Sequence, residues 1–308
     1  MKKLVLLLIL SISLFGCAQD DASSNANENT NNESSVSGYE NAELLVDTEW
    51  VVNHSDDENV QFVDMRSEGF EGGHIPGATN ITGQEIVDPE AEYDGVLMQA
   101  DDFAAKMQEI GVDQGETIVA YDDGSSLSAA RLFYALEYYG HENVKIYNGG
   151  FTAWLQSGNE VSTEEPNVQT GNFVATANED KVCDLETIQA ATDDENVIIL
   201  DARSEAEFTG EEVRAERGGH IPNAVHIEWS QAITEKDGVP TFKSAEELTT
   251  LYEGKGVTKD KTIIPYCQTN VRGAHTYFTL RLLGYDSIKP YEGSWAEYGN
   301  VDSTTIEN

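Results

Sequence analysis

The residues best suited to do chemistry lie in the segment PYCQTNVRGAH (Pro265 to His275), where four residues separate Cys267 from Arg272. The apolar run before Cys267 has the length and β-branched content of a buried strand, and apolar residues recur at helical spacing after it. The start of a helix presents unpaired N–H groups and a positive dipole end, which both favour an anion. The segment therefore predicts a nucleophilic cysteine in an anion-binding loop.

The two side chains of this loop are compatible with more than one chemistry. The thiolate is the reactive form of cysteine, and a helix start beside a guanidinium favours that form. Arg272 adds a permanent charge and a planar fork of donors suited to an oxyanion. Taken alone, the pair also fits a buried structural cysteine followed by a solvent-facing arginine. The residues by themselves leave open whether the loop holds sulfur or phosphorus.

Four blocks of sequence occur twice in the same order, which indicates duplicated domains. A block containing VDMRSEGF and GGHIPGA recurs as LDARSEAEF and GGHIPNA, IVAYDDG as IIPYCQT, and YNGGFTAW as YEGSWAEY. In each copy, short apolar runs that read as buried strands alternate with helical periodicity. This alternation predicts an α/β fold in which each copy has a mainly parallel sheet flanked by helices.

The four motifs of the second copy resemble those of the rhodanese family of sulfurtransferases, and the first copy fits the same template. The resemblance covers residues 39–299 and implies two tandem rhodanese-like domains. The chain then divides into a lipoprotein signal peptide, a disordered polar tether, an inactive rhodanese-like domain, a linker and a catalytic rhodanese domain. The corresponding boundaries are 1–16, 17–38, 39–158, 159–176 and 177–304.

The resemblance implies that Cys267 takes a sulfane sulfur from a small anionic donor such as thiosulfate. The resulting persulfide then passes the sulfur to cyanide or another thiophilic acceptor. The active-site loop consists of Gln268, Thr269, Asn270, Val271, Arg272 and Gly273. Asp201 is a supporting residue that could hold the loop backbone or Arg272. The resemblance implies no metal and no organic cofactor.

Two other activities compete with thiosulfate transfer. Cysteine phosphatases place five residues between the cysteine and the arginine, whereas CQTNVR has four, so a phosphatase or arsenate-reductase-like activity is disfavoured. Relatives that use 3-mercaptopyruvate usually have a small Gly- and Ser-containing loop, and relatives that use thiosulfate have cations. Arg272 favours thiosulfate, but Gln268 and Thr269 stand where mitochondrial enzymes have an Arg-Lys pair. The alternative donor therefore stays open.

The first copy has Asp122 where the second has Cys267. A carboxylate lacks the soft sulfur atom needed to form a persulfide. We therefore expect the first domain to be inactive and to contribute packing and one wall of the cleft between the domains.

Several other polar residues are interpreted as structural. Arg203 should pair with a carboxylate, and His74 and His220 occur in duplicated GHIP turns, which favours a role in the fold. His275 should be packed in the helix. Cys183 precedes a helix-start pattern and should be a bystander thiol, although a disulfide with Cys267 is possible outside the cytoplasm.

The amino terminus predicts export and anchoring. Two lysines, an apolar run and LFGC (Leu14 to Cys17) resemble the lipobox of bacterial lipoproteins, in which cleavage precedes a cysteine that is then acylated. An ordinary signal peptide is the alternative. The following segment is rich in Asn, Ser, Asp and Glu and cannot bury enough surface to fold. We expect a protein lipid-anchored at Cys17 on the extracytoplasmic face of the cell membrane.

The charge of the chain excludes one class of partner. With 56 acidic and 18 basic residues the formal net charge is -38, and such a surface repels nucleic acid. The same field repels an anionic substrate unless the site is locally positive. A monomer is expected. A competing interpretation of the whole chain is a noncatalytic, lipid-anchored binding module, which has no need of a cysteine followed by an arginine at this spacing.

Overall fold

The computed structural model describes residues 38–308. The signal segment 1–16, Cys17 and all but the last residue of the tether lie outside the described residues, so the lipid anchor stays a prediction. Among residues 38–308, no helix combines the length and the apolar character needed to cross a bilayer.

The first repeat is built on a parallel sheet. Its elements are a 3-10 helix (Ala42–Leu44), β1 (Leu45–Val46), α1 (Thr48–Asn53), β2 (Val60–Asp64), β3 (Thr79–Asn80), a second 3-10 helix (Gly83–Ile86), α2 (Ala100–Glu109), β4 (Thr117–Tyr121), α3 (Leu127–Tyr138), β5 (Val144–Tyr147) and α4 (Gly150–Gln156). The strand order is β1-β5-β4-β2-β3, and every neighbouring pair is parallel. Successive side chains of β4 pack alternately into two apolar clusters, so both faces of the sheet are covered.

The second repeat has the same plan with shorter outer strands. Its elements are a 3-10 helix (Glu179–Lys181), α5 (Leu185–Ala191), β6 (Val197–Asp201), α6 (Glu205–Phe208), β7 (Val225–His226), a further 3-10 helix (Trp229–Ala232), β8 (Ile233–Lys236), β9 (Val239–Phe242), α7 (Ala245–Glu253), β10 (Thr262–Tyr266), α8 (Val271–Leu282) and α9 (Ser294–Tyr298). The parallel order β10-β6-β7 is extended by single parallel bridges, and β8 and β9 form an antiparallel hairpin. The predicted α/β class is confirmed.

Helices α3 and α8 pack against each other and join the two repeats. Phe133 meets Phe278 edge to face at 4.8 Å between ring centroids, and Tyr134 meets Tyr277 at 5.2 Å. Residues of both repeats belong to one continuous apolar core. Each of the two helices starts directly after the loop that follows a central strand, so the two duplicated loops lie at the ends of this helix pair.

Each repeat also covers the loop of the other with a connecting segment. The β8–β9 hairpin approaches the first repeat, where the Phe242 N–H donates to Asn148 Oδ1 at 3.1 Å. Conversely, Gly95 of the first repeat has a φ of +89°, and a Cβ added there would lie 2.5 Å from the carbonyl oxygen of Thr269. Only glycine fits this approach. The loop that carries Cys267 is therefore walled on one side by the first repeat.

The segment predicted as the linker, 159–176, contains no helix, but it is not detached from the core. Phe173 is buried, and its ring packs against Phe103 at 5.9 Å between centroids. The domain boundaries proposed from the sequence stay predictions.

Candidate active site

Cys267 lies where the sequence predicts, between the end of β10 and the start of α8. Only 1% of its surface is exposed. Its carbonyl accepts a hydrogen bond from the Trp295 N–H at 2.9 Å, and its own N–H donates to Ser294 Oγ at 3.3 Å. The first residues of α9 therefore hold the main chain of the thiol-bearing residue from both sides.

Ser294 adopts a backbone conformation that is uncommon for its residue type. Its φ is +50°, the same value as at Gly150 in the duplicated position of the first repeat. A non-glycine residue in this region costs about 1–3 kcal/mol. The Ser294 hydroxyl donates to the Tyr291 carbonyl at 2.9 Å and accepts from the Cys267 N–H. A serine here adds a contact to the cysteine backbone that glycine lacks.

The first half of the loop contacts neighbouring segments rather than solvent. Gln268 Nε2 donates to the carbonyl of Arg214 at 3.2 Å. Thr269 lies under Gly95 of the first repeat. The Arg214 side chain is about half exposed (51%), and its Nε lies 2.7 Å from Glu212 Oε1 and 3.8 Å from Glu207 Oε1.

The second half of the loop forms the start of α8. Asn270 precedes the helix with a left-handed φ of 55°, and its Nδ2 donates to Glu292 Oε2 at 2.6 Å. Val271 is the first helical residue. A Cβ added to Gly273 would lie 2.3 Å from the side-chain oxygen of Asn270, so a larger residue would displace that side chain.

Arg272 is held by Glu207, a residue that the sequence interpretation missed. Arg272 Nη1 donates to Glu207 Oε2 at 2.6 Å and Nη2 donates to Oε1 at 2.9 Å. Burial lowers the pKa of Arg272, but its contacts with Glu207 and with the Cys267 side chain outweigh burial and raise it. The guanidinium fork is thus engaged by a carboxylate, and Arg272 acts beside Cys267 as half of an ion pair.

The Glu207 carboxylate should make the free energy of unfolding depend on pH in the acidic range. Burial opposes its ionisation, but Arg272 and Ser204 lower its pKa from 4.5 to about 2. Because the pKa is depressed in the folded state, the stabilisation is complete above pH 4.5 and is lost as the pH falls toward 2. We expect the difference in unfolding free energy between wild type and Glu207→Gln to be constant above pH 4.5 and to shrink below it in denaturant titrations.

Glu212→Gln is the matched control for this measurement. Glu212 lies on the same segment, pairs with Arg214 at 2.7 Å and exposes 46% of its side chain. An exposed pair of this kind contributes about 0–1 kcal/mol. A Glu207→Gln difference that stayed constant down to pH 2 would contradict the assignment of the Arg272–Glu207 pair.

Asp201 does not pair with Arg272, which was one of the two roles considered for it. Its carboxylate accepts from Arg203 Nη2 at 2.6 Å and from the Tyr266 hydroxyl at 2.5 Å. Tyr266 directly precedes Cys267, so Asp201 braces the strand end that leads into the loop. Arg203 has the carboxylate partner expected from the sequence.

The same arrangement occurs in the first repeat, where Arg66 pairs with Asp64 at 2.6 Å. A network present in both copies does not distinguish the Cys267 loop from the Asp122 loop. We therefore interpret it as a structural support that both copies need. His74 and His220 bond through their Nδ1 atoms to backbone carbonyls, which also fits a role in the fold.

The duplicated loop of the first repeat contains its own anion. The Asp122 carboxylate accepts hydrogen bonds from the backbone N–H groups of Gly124, Ser126 and Ser128 at 2.9 Å and of Ala129 at 3.3 Å. Burial raises the pKa of this carboxyl, whereas the four donors favour its ionised form. Both oxygens accept from N–H groups, so this strand-to-helix loop is built to hold negative charge.

The remaining thiol and histidine candidates, Cys183 and His275, are buried. Cys183 and Cys267 are both free, and burial raises the pKa of Cys183 to about 12. The His275 ring lies between Trp229 and Phe242, and burial lowers its pKa to about 3. Within residues 38–308, no group of His, Cys, Asp and Glu side chains is arranged to hold a metal ion.

The residues that the sequence interpretation missed are Glu207, Ser294, Glu292 and Arg131. The capping-box pattern SEAE, from Ser204 to Glu207, marks a helix start and could have drawn attention to Glu207. Glu292 and Ser294 lie in the duplicated block YEGSWAEY, which marked the segment but not which of its side chains contact the loop. Arg131 has no such signal, because it reaches the loop from the first repeat.

Comparison with known proteins agrees with this fold. The family described as "Rhodanese-like domain" matches residues 47–157 and again 184–300. The sulfur carrier protein TtuD of Thermus thermophilus is 37% identical over 291 residues, which cover 87% of this chain and 98% of that protein. A protein of Saccharopolyspora erythraea, provisionally named a thiosulfate sulfurtransferase, is 35% identical over 282 residues, covering 86% and 96%.

A solved structure shows the same architecture. The crystal structure of SseA from Escherichia coli, described among the 3-mercaptopyruvate sulfotransferases, superposes with a TM-score of 0.74 at 30% identity and covers 82% of this chain and 99% of that one. The chain therefore belongs to the rhodanese family and carries the rhodanese-like domain twice. The resemblance to tandem-domain sulfurtransferases of this family is confirmed.

Proposed function

We propose that this chain is a sulfurtransferase that carries sulfur as a persulfide on Cys267. The observation that supports it most is the pair of duplicated loops: one holds a carboxylate on four backbone N–H groups, and the other has a thiol at the corresponding position. A loop of this design stabilises a terminal sulfur that bears negative charge.

The two half-reactions balance without an added oxidant or reductant. The Cys267 thiolate attacks the outer sulfur of thiosulfate, the S–S bond of the donor breaks, and sulfite leaves with the bonding electron pair. The product is Cys–S–S⁻. A thiophilic acceptor such as cyanide then attacks the outer sulfur of the persulfide and leaves as thiocyanate, which regenerates the thiolate. Arg272, held by Glu207, lies beside the sulfur in both steps.

Thiosulfate is our proposed donor, and 3-mercaptopyruvate is the alternative. Cys267 is almost completely buried, which favours a small donor with a projecting sulfur atom. The half-exposed guanidinium of Arg214 pairs with Glu212 through Nε and lies 3.8 Å from Glu207, and its other N–H groups are suited to the oxyanions of such a donor. Relatives of this chain carry names associated with both donors, so the choice between them needs a direct measurement.

The two donors can be compared by following sulfur incorporation into the protein and transfer to cyanide at several salt concentrations. We expect a higher kcat/KM for thiosulfate than for 3-mercaptopyruvate. Salt should raise the apparent affinity for dianionic thiosulfate, because it screens the repulsion from a chain of net charge -38. A higher kcat/KM for 3-mercaptopyruvate would overturn the donor assignment and leave the sulfurtransferase proposal intact.

We propose that the first repeat has no transfer activity of its own. Its loop has no sulfur atom, and the Asp122 carboxylate already occupies the N–H groups that would hold a charged intermediate. It provides the wall of the second loop at Gly95.

We further propose that Cys17 is acylated and anchors the protein on the extracytoplasmic face of the cell membrane. The proposal rests on the LFGC sequence and the polar segment that follows it. Substitution Cys17→Ser should move the protein from the membrane fraction to the soluble fraction. An unchanged distribution would rule out this anchor.

A further inference from the structure

Arg131 of the first repeat reaches the loop that carries Cys267 in the second. It is the fifth residue of α3 and exposes 1% of its surface. Its Nη2 donates to Glu292 Oε1 at 2.7 Å and to the carbonyl of Gly95, and its Nη1 lies 3.5 Å from the carbonyl oxygen of Asn270. One guanidinium thus contacts both the wall of the site and the loop itself.

Glu292 also links helix α3, the segment around Gly95 and the loop that carries Cys267. Besides Arg131, its carboxylate accepts from the Leu97 N–H at 3.0 Å and from Asn270 Nδ2 at 2.6 Å. Asn270 is the left-handed residue that ends the loop and starts α8. The Arg131–Glu292 pair therefore holds the main chain where it leaves the loop, at Asn270, whereas Ser294 holds it at Cys267.

The duplicated position in the second repeat provides a comparison within the molecule. His275 is the fifth residue of α8, as Arg131 is of α3, and its ring approaches the backbone of Ser125 in the Asp122 loop. Neither of its ring nitrogens makes a well-formed hydrogen bond. Burial keeps His275 neutral at ordinary pH. Of these two corresponding residues, Arg131 reaches the loop with the thiol and is charged, whereas His275 reaches the loop with Asp122 and is neutral.

Packing alone does not explain a buried guanidinium at this interface. Replacing a buried ion pair by apolar residues of similar volume is often neutral or stabilising. The same interface contains apolar and aromatic contacts such as Phe133 with Phe278. The Arg131–Glu292 pair lies at the end of this interface next to the Cys267 loop. We therefore relate its charges to the loop rather than to packing.

We propose that Arg131 is a positioning residue for Cys267, so that the first repeat is needed for full reactivity of the thiol in the second. This inference rests on the proposed function. The ion pairs around the loop are Arg272 with Glu207, which Arg214 also approaches to 3.8 Å, and Arg131 with Glu292. Electrostatic attraction between Arg131 and the Cys267 side chain agrees with this placement.

The test compares Arg131→Met with Arg131→Lys and with the control Arg281→Met. Arg281 also pairs across the α3–α8 interface, with Glu137 at 2.9 Å, but it lies near the far end of α8. The readouts are the rates at which Cys267 reacts with iodoacetamide and with thiosulfate, quantified by peptide mass spectrometry. Thermal unfolding of each variant is measured in parallel.

We expect Arg131→Met to slow both reactions about tenfold or more, since small displacements of a nucleophile have effects of this size. Arg131→Lys should recover part of the rate. Adding Glu292→Gln to Arg131→Met should also recover part of it, because the substitution removes a carboxylate beside the loop that has lost its Arg131 partner. Arg281→Met should lose stability without losing reactivity.

Three results would overturn the proposal: equal rates in Arg131→Met and wild type, equal slowing in Arg131→Met and Arg281→Met, or a wild-type Cys267 that reacts with neither reagent. If Arg131→Met fails to fold, the Lys variant decides alone, and a wild-type rate in it overturns the proposal, because lysine has no planar fork of donors to contact Glu292, Gly95 and Asn270 together. A Cys267 that reacts with iodoacetamide but not with any sulfur donor contradicts the proposed function while leaving the role of Arg131 measurable.

Discussion

Cys267→Ser is expected to abolish sulfur transfer. Wild-type protein incubated with thiosulfate should gain one sulfur atom at Cys267 and release sulfite, whereas the Ser variant should keep its mass. Serine lacks the polarisable atom that forms the S–S bond, so the rate should fall about 1,000-fold or more, as it does when a catalytic nucleophile is removed. Intact-mass analysis and thiocyanate formation from cyanide measure the two half-reactions separately.

Cys183→Ser is the matched control for this experiment. Cys183 is as buried as Cys267, but its thiol contacts the Asp184 carbonyl, and its pKa is raised by burial. It should therefore leave sulfur loading unchanged. A sulfur adduct that persists in Cys267→Ser would show that another residue accepts the sulfur.

The same variant separates the enzyme from a noncatalytic binding module. If the chain serves only to display a binding surface, partner capture and cellular phenotype should survive Cys267→Ser unchanged. The ion pair and the hydrogen bonds gathered around the thiol favour the enzyme, since a binding surface has no need of them.

Arg272→Met is expected to have the second largest effect, lowering the rate of persulfide formation about 100-fold. The substitution removes the cation beside Cys267 and leaves the buried Glu207 carboxylate, near the reacting sulfur, with the half-exposed Arg214 at 3.8 Å as its remaining ion-pair partner. Breaking a buried ion pair by removing one partner costs about 3–5 kcal/mol of stability, so unfolding should be measured alongside single-turnover kinetics. The double variant Arg272→Met with Glu207→Gln should regain part of the stability.

Arg281→Met again serves as the control, because it breaks an ion pair of the same helix away from the loop. It should lose stability but keep the rate of persulfide formation. If Arg272→Met formed the persulfide at the wild-type rate, Arg272 would be a structural residue only, and the electrostatic part of the mechanism would be wrong.

Much of the fold follows from local sequence patterns. The β-branched runs before Asp122 and Cys267 form β4 and β10, and the helical periodicity after Cys267 forms α8, which ends at Leu282 before Gly284 with its φ of +81°. These features depend on neighbours in the chain, so a sequence can reveal them. The repeated blocks then predicted two copies of one fold.

The partners of the site residues could not be predicted in the same way. Asp201 was a candidate partner of Arg272, but in the structure it pairs with Arg203 and Tyr266, and Glu207 takes Arg272. Several carboxylates lie within or close to the duplicated block LDARSEAEF of the second repeat. Which of them meets the guanidinium depends on the path of the chain after β6.

The sequence by itself determined that the chain has two related α/β repeats and that only the second has a thiol in its strand-to-helix loop. Only the tertiary structure decided that Glu207 engages Arg272, that Ser294 holds the Cys267 N–H, and that Arg131 reaches the loop from the other repeat. The physical reason is distance along the chain. Strands, helix starts and the position of a thiol depend on adjacent residues, whereas these three contacts join residues that come together only when the α3–α8 interface and the sheet of the second repeat have formed.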